Sequence, residues 1–134
     1  MSQEQIQQRL LDSPFNAFLG PKVVSADPAN AELVVRLQMR PELERFPGTG
    51  QWHGGPIAAA IDLVGDYALA MLIGKPLPTI NLRVDYLRPG KGTLTLMARV
   101  RRCGKTVGVV DIEVSGESGE LVAIGRANYS TGTA

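Results

Sequence analysis

Residues 57–73, IAAAIDLVGDYALAMLI, decide the fold. Wound as a helix, this run is apolar on every side except at Asp62 and Asp66. A helix that is apolar all round belongs inside a core, not on a surface. Two carboxylates and a length of about 25 Å at 1.5 Å per residue argue against a membrane span. Its ends are marked as well. Pro56 suits the first helical position, where a missing N–H costs nothing, and Gly74 followed by Pro76 and Pro78 is a stop. The run therefore predicts one long, buried central helix.

On its C-terminal side the sequence reads only as strands: residues 79–87, 93–102, 106–114 and 121–130. The segments between them, Arg88-Pro-Gly-Lys-Gly, Cys103-Gly-Lys and Ser115-Gly-Glu-Ser-Gly-Glu, are short, which predicts antiparallel neighbours in a meander. On its N-terminal side, residues 3–12 predict a short helix with Ile6, Leu10 and Leu11 on one face, broken at Leu19-Gly20-Pro21. Residues 31–39 alternate, with Leu33, Val35, Leu37 and Met39 facing inward, and residues 40–52 read as a loop. The fold class is α+β: an antiparallel sheet of five or six strands wrapped around one central helix. The outer face of that sheet must be covered by a second subunit or left to water.

At 134 residues, with 44% hydrophobic and 20% charged, the chain is one globular domain over 1–134. One cysteine, Cys103, and one histidine leave no intramolecular disulfide and make a zinc site improbable, and no cofactor is expected. The start, MSQEQIQQRLLD, has no apolar signal core, so the cytoplasm is the expected location. A net charge of +1 argues against nucleic acid as a partner. The charge is uneven, however: seven basic residues stand between Arg83 and Lys105 against one acid, Asp85. Such a run is either a solvated strand face or a small phosphate-binding patch.

The chemistry gathers where the helix begins, in QWHGGPIAAAID (51–62). Gly54 and Gly55 permit close approach of a ligand, and a helix start adds unpaired N–H donors and partial positive charge. That combination suits an anion or an oxyanion forming on a carbonyl; the plainer reading is a tight loop. Aspartate is a poor residue in mid-helix, so Asp62 and Asp66 are either paired, with a buried arginine such as Arg83, or functional. They stand one turn apart, and burial with mutual repulsion raises a carboxyl pKa toward general-base use. His53 alone is explained by a bond to the loop. Cys103, in a turn with no activating partner, is not a nucleophile.

His53-Gly54-Gly55, six intervening residues and then Asp62 resembles the signature of the hotdog-fold acyl-CoA thioesterases of the phenylacetate-pathway (PaaI-like) type. The resemblance runs from Leu19-Gly20 to Tyr129. It implies a homodimer or dimer of dimers that hydrolyses an acyl-CoA substrate. It implies Asp62 as general base or nucleophile, the Gly54 N–H as oxyanion donor and His53 as support for that loop. The family's Ser or Thr seven residues before a Tyr-x-x-Pro segment falls here on Thr79, ahead of Tyr86-Leu87-Arg88-Pro89. Gly55 and Gln51 are expected at the substrate, and Arg88, Lys91, Arg102 and Lys105 at the coenzyme A phosphates. One departure stands out. Where the family often has an Asn six residues before the histidine, this chain has Pro47. Either Gln51 replaces that amide, or carbonyl activation rests on Gly54 and the helix dipole. A hydroxyacyl-thioester dehydratase would need a histidine before Phe46-Pro47, where Arg45 stands. A non-catalytic acyl-CoA-binding domain would account for Pro47 but not for Asp62 and Thr79.

Overall fold

A computed structural model describes residues 1–132; the last two residues of the expected domain lie outside the described part. The elements are α1 (Gln3–Asp12), α2 (Pro14–Leu19), β1 (Lys22–Asp27), β2 (Glu32–Leu37), α3 (Gly54–Ile73), β3 (Thr79–Tyr86), β4 (Leu94–Cys103), β5 (Val107–Ser115) and β6 (Leu121–Ser130), with a 3₁₀ turn at Pro41–Leu43. The six strands form one sheet in the order β1-β2-β4-β5-β6-β3, every neighbouring pair antiparallel. The sheet curls around α3, whose buried residues run from Ile57 to Met71.

Three expectations are corrected. The helix begins at Gly54 with His53 as its cap, so Pro56 stands third in the first turn rather than first. The first four N–H groups of a helix have no internal partner, and proline is tolerated at any of these places. The strands after the helix are not a simple meander: β3 pairs with β6, and the 87–93 segment crosses the end of the β5–β6 hairpin to reach β4. Gly90 makes that crossing possible, because a Cβ there would lie 3.1 Å from Val122 and 3.3 Å from Leu94. The N-terminal helix has the expected span, Gln3–Asp12, but Ser13 ends it and caps the six-residue α2, and it is α2 that stops at Gly20. Leu11 is 45% exposed, while Ile6 and Leu10 carry the packing. A further strand, β1, carries no expectation from the sequence, because its single buried residue, Val23, leaves no alternation to detect.

Small residues set how tightly the sheet closes. A Cβ on Gly125 would meet Ile61 at 2.7 Å, and one on Gly108 would meet Leu69 at 2.6 Å. On the helix side, a Cβ on Gly65 would stand 2.3 Å from the Tyr129 hydroxyl. The outer face of the sheet is a ladder of charge. Glu32, Arg99, Asp111 and Arg126 lie opposite one another across four strands. Arg126 grips Asp111 with two hydrogen bonds of 2.6 and 2.9 Å, and Arg99 meets Glu32 at 3.1 Å. Arg83 pairs with Asp85 at 3.4 Å on this same exposed face, not with a helix aspartate. Three residues of the basic run, Arg83, Arg99 and Arg101, are thus on a solvated strand face.

Gly65→Ala tests the closure. Alanine gains about 1 kcal/mol of helix propensity, but forcing a methyl against Tyr129 costs about 1–3 kcal/mol. The expected outcome is a lower urea midpoint at unchanged slope; an equal or higher midpoint contradicts the close contact.

Candidate active site

Asp62 and Asp66 interrupt the apolar helix where the sheet leaves it uncovered, facing the connection from Gly74 to β3 and the start of α2. Asp62 Oδ1 accepts a hydrogen bond from the Thr79 hydroxyl at 2.7 Å. The Asp62 carbonyl accepts one from the Tyr129 hydroxyl, also at 2.7 Å. Burial, followed by the nearby charges of Asp62 and Asp66, pushes the Tyr129 phenol far up, so it remains a donor. Asp66 Oδ1 accepts the N–H of Leu77 at 2.7 Å. Asp62 and Asp66 line one open groove of about 350 Å³, together with Asn16 and Phe15 of α2.

At the start of α3, His53 Nδ1 accepts the Gly55 N–H at 3.2 Å, leaving Nε2 to carry the proton of a neutral ring. The Gly55 donor is therefore occupied, whereas the Gly54 N–H has no partner among the described residues. The loop before it is held by the His53 N–H on Leu43, the Trp52 N–H on Gly90 and the Trp52 indole on the Gly92 carbonyl. Tyr86, at the far end of β3, donates to the Gly54 carbonyl at 2.7 Å. Sequence reasoning used Tyr86 only as a spacing mark; its hydroxyl was not legible as a clamp. His53, Gly54, Gly55, Tyr86 and Arg88 line a second cavity of about 400 Å³. Gln51 lies beside it, paired through its backbone with Lys91.

The two halves stand apart within one chain. Asp62 stands eight positions along the helix from Gly54, a rise of about 12 Å, and their cavities share no lining residue. The basic candidates divide in the same way. Arg88 and Lys91 lie at the His53 end. Arg102 near the opposite end of β4, and Lys105 just past it, lie beside the row in which Thr79, Tyr129, Gly108 and Cys103 follow one another across the sheet. Four basic residues expected as one patch are therefore two pairs at opposite ends.

One long helix in a curled antiparallel sheet, with a capped glycine entrance and a carboxylate two turns on, defines the hotdog class. The chain belongs to the thioesterase superfamily, whose profile matches residues 49–123. It is 32% identical over 143 residues to the medium/long-chain acyl-CoA thioesterase YigI of Salmonella typhimurium, covering 89% of this chain and 86% of that protein. It is 33% identical over 110 residues to the acyl-coenzyme A thioesterase PaaI of Escherichia coli, covering 81% of this chain and 75% of the other. A solved thioesterase-superfamily protein superposes with a TM-score of 0.86 at 36% identity, covering 96% of each chain.

Asp66 carries a measurable consequence. Burial, reinforced by the charge of Asp62 and only partly offset by the Leu77 N–H, pushes its carboxyl from 3.8 up to about 7. Between those values the unfolded chain has released a proton that the fold retains. The stability it contributes is thus whole below about pH 4 and is lost as pH rises through 7. Denaturant titrations between pH 5 and 8.5 should show the parent weakening relative to Asp66→Asn; parallel curves would contradict the assignment.

Proposed function

We propose that this protein hydrolyses acyl-CoA thioesters at a site made from two copies of the chain, as a homodimer or a dimer of dimers. Membership of the thioesterase superfamily, and the acyl-CoA thioesterases among its relatives, support the reaction class. The observation that carries the site is the position of β3. It lies at the sheet edge with its outer backbone unpaired among the described residues, and with Ile80 and Tyr86 more than half exposed. Edges of this length invite pairing. Thr79, bonded to Asp62, begins the strand, and Tyr86, bonded to Gly54, ends it. Two copies of β3 paired antiparallel about a two-fold axis bring Thr79 of one chain beside the partner's Tyr86. Asp62 then meets the partner's His53-Gly54 entrance, and the division within one chain is repaired twice.

In that site Asp62 takes a proton from water as the water oxygen bonds to the thioester carbonyl carbon. The carbonyl oxygen gains charge against the free Gly54 N–H and the positive end of α3. Collapse breaks the C–S bond, and the proton passes to the leaving thiolate. Direct attack by Asp62 reaches the same products through an acyl anhydride that water then cleaves. Thr79 holds the carboxylate, or the water beside it, in line. With Pro47 in place of an amide, carbonyl activation rests on the Gly54 N–H and the helix dipole. Gln51 makes no side-chain hydrogen bond among the described residues. The acyl group lies in the groove beside Phe15. Arg88 and Lys91 from one chain, and Arg102 and Lys105 from the other, are the cations available to the coenzyme A phosphates.

Thiol release from a panel of acyl-CoA esters checks the reaction. Asp62→Ala should lower turnover by roughly 10²- to 10⁴-fold, with less effect on the Michaelis constant. Near-normal turnover in that variant, or no turnover of any ester by the parent, overturns the proposal.

A further inference from the structure

Asp66 is half-buried in the same groove as Asp62, yet the hydrolysis assigns it no task. Its surroundings are specific. Leu77, whose N–H it accepts, is 7% exposed and sits two residues before Thr79. The connection from Gly74 to Pro78 contains two prolines and has few N–H groups to anchor it. Asp66 is fixed to the helix, so this bond ties the connection to α3 one turn from Asp62. The Thr79 hydroxyl reaches Asp62 from the end of that tied segment.

Resting on the assignment of Asp62 as the catalytic carboxylate, we propose that Asp66 is the positioning residue of the site. Its carboxyl holds the 74–78 connection so that Thr79 meets Asp62, and its ionisation places a second negative charge one turn from Asp62. The titratable and charged groups around it are Asp62 and Tyr67 on its own helix and Tyr129 on β6. Beyond Tyr67 lie Arg9 and Asp12 of α1. Lys75 stands on the connection, and α2 contributes none. No cation bonds to Asp66 among the described residues. Its charge therefore acts chiefly on Asp62. In the reaction, negative charge moves off Asp62 toward the oxyanion. A charged Asp66 favours that movement, so turnover rises as pH increases through about 7.

Four single variants, one double variant and a pH series test this. Asp66→Ala should cost roughly ten- to a hundredfold in turnover, the effect of a misplaced reacting group, at a nearly unchanged Michaelis constant. Asp66→Asn keeps an acceptor for Leu77, so it should recover most of that loss while abolishing the rise through pH 7. In a Thr79→Ala background, Asp66→Ala should cost little more, because both act on one geometry. Additive losses in the double variant, or a rise through pH 7 that persists in Asp66→Asn, overturn the proposal. Asp62→Ala separates the two levels. If it remains active, the reading of Asp62 has failed; if it is inactive while Asp66 and Thr79 behave independently, only the role of Asp66 has failed.

Discussion

The structure depends on enclosing α3, a helix of 20 residues with no polar face. Such a surface is stable only when it is surrounded, and the sheet surrounds it by curling until Gly65, Gly108 and Gly125 bring backbone and side chain into contact. A closed wrap leaves little room for charge. Asp62 and Asp66 are placed where the wrap is open, beside the 74–78 connection and α2, and the hydroxyls of Thr79 and Tyr129 complete the polar contacts there. The candidate site is located by what the core cannot cover.

In the proposed dimer, that enclosure also determines how the site is completed. The curl carries β3 to the sheet edge, with one end holding Asp62 through Thr79 and the other holding Gly54 through Tyr86. A helix that places its entrance and its carboxylate about 12 Å apart cannot bring both to one thioester carbonyl. A two-fold axis through β3 can. Stability and catalysis then oppose each other at Asp66. In the proposed mechanism, the charge that favours proton transfer to Asp62 is the charge whose appearance weakens the fold as pH rises toward and through 7.

Most of this was legible in the sequence because its signals were local. The helix was visible in an apolar run with a glycine stop, and the four later strands fall within two residues of their observed ends. The spacing from His53 to Asp62 pointed to the family. What failed depends on tertiary contact. The β3–β4 crossing looks like a turn because its length is a turn's length; only the curl of the sheet makes so short a path reach across a hairpin. β1 lacks alternation because it is an edge with one buried side. The basic run spreads over two ends and one outer face because strand direction, not sequence distance, distributes it. Tyr86 and Leu77 were not read as part of the site because their partners lie 32 and 11 residues away.

The central claim is that Asp62 and the His53-Gly54 entrance of different chains form each site, and mixing two inactive variants tests it most directly. Asp62→Ala and His53→Ala, refolded together in equal amounts, form mixed dimers in which one site has both parent groups and the other has neither. If His53→Ala retains activity, Gly54→Pro, which removes the N–H, replaces it. Random pairing predicts recovery of about a quarter of parent activity. Mixed dimers verified by mass that are no more active than the two variants alone would place both groups in one chain's site and contradict the account.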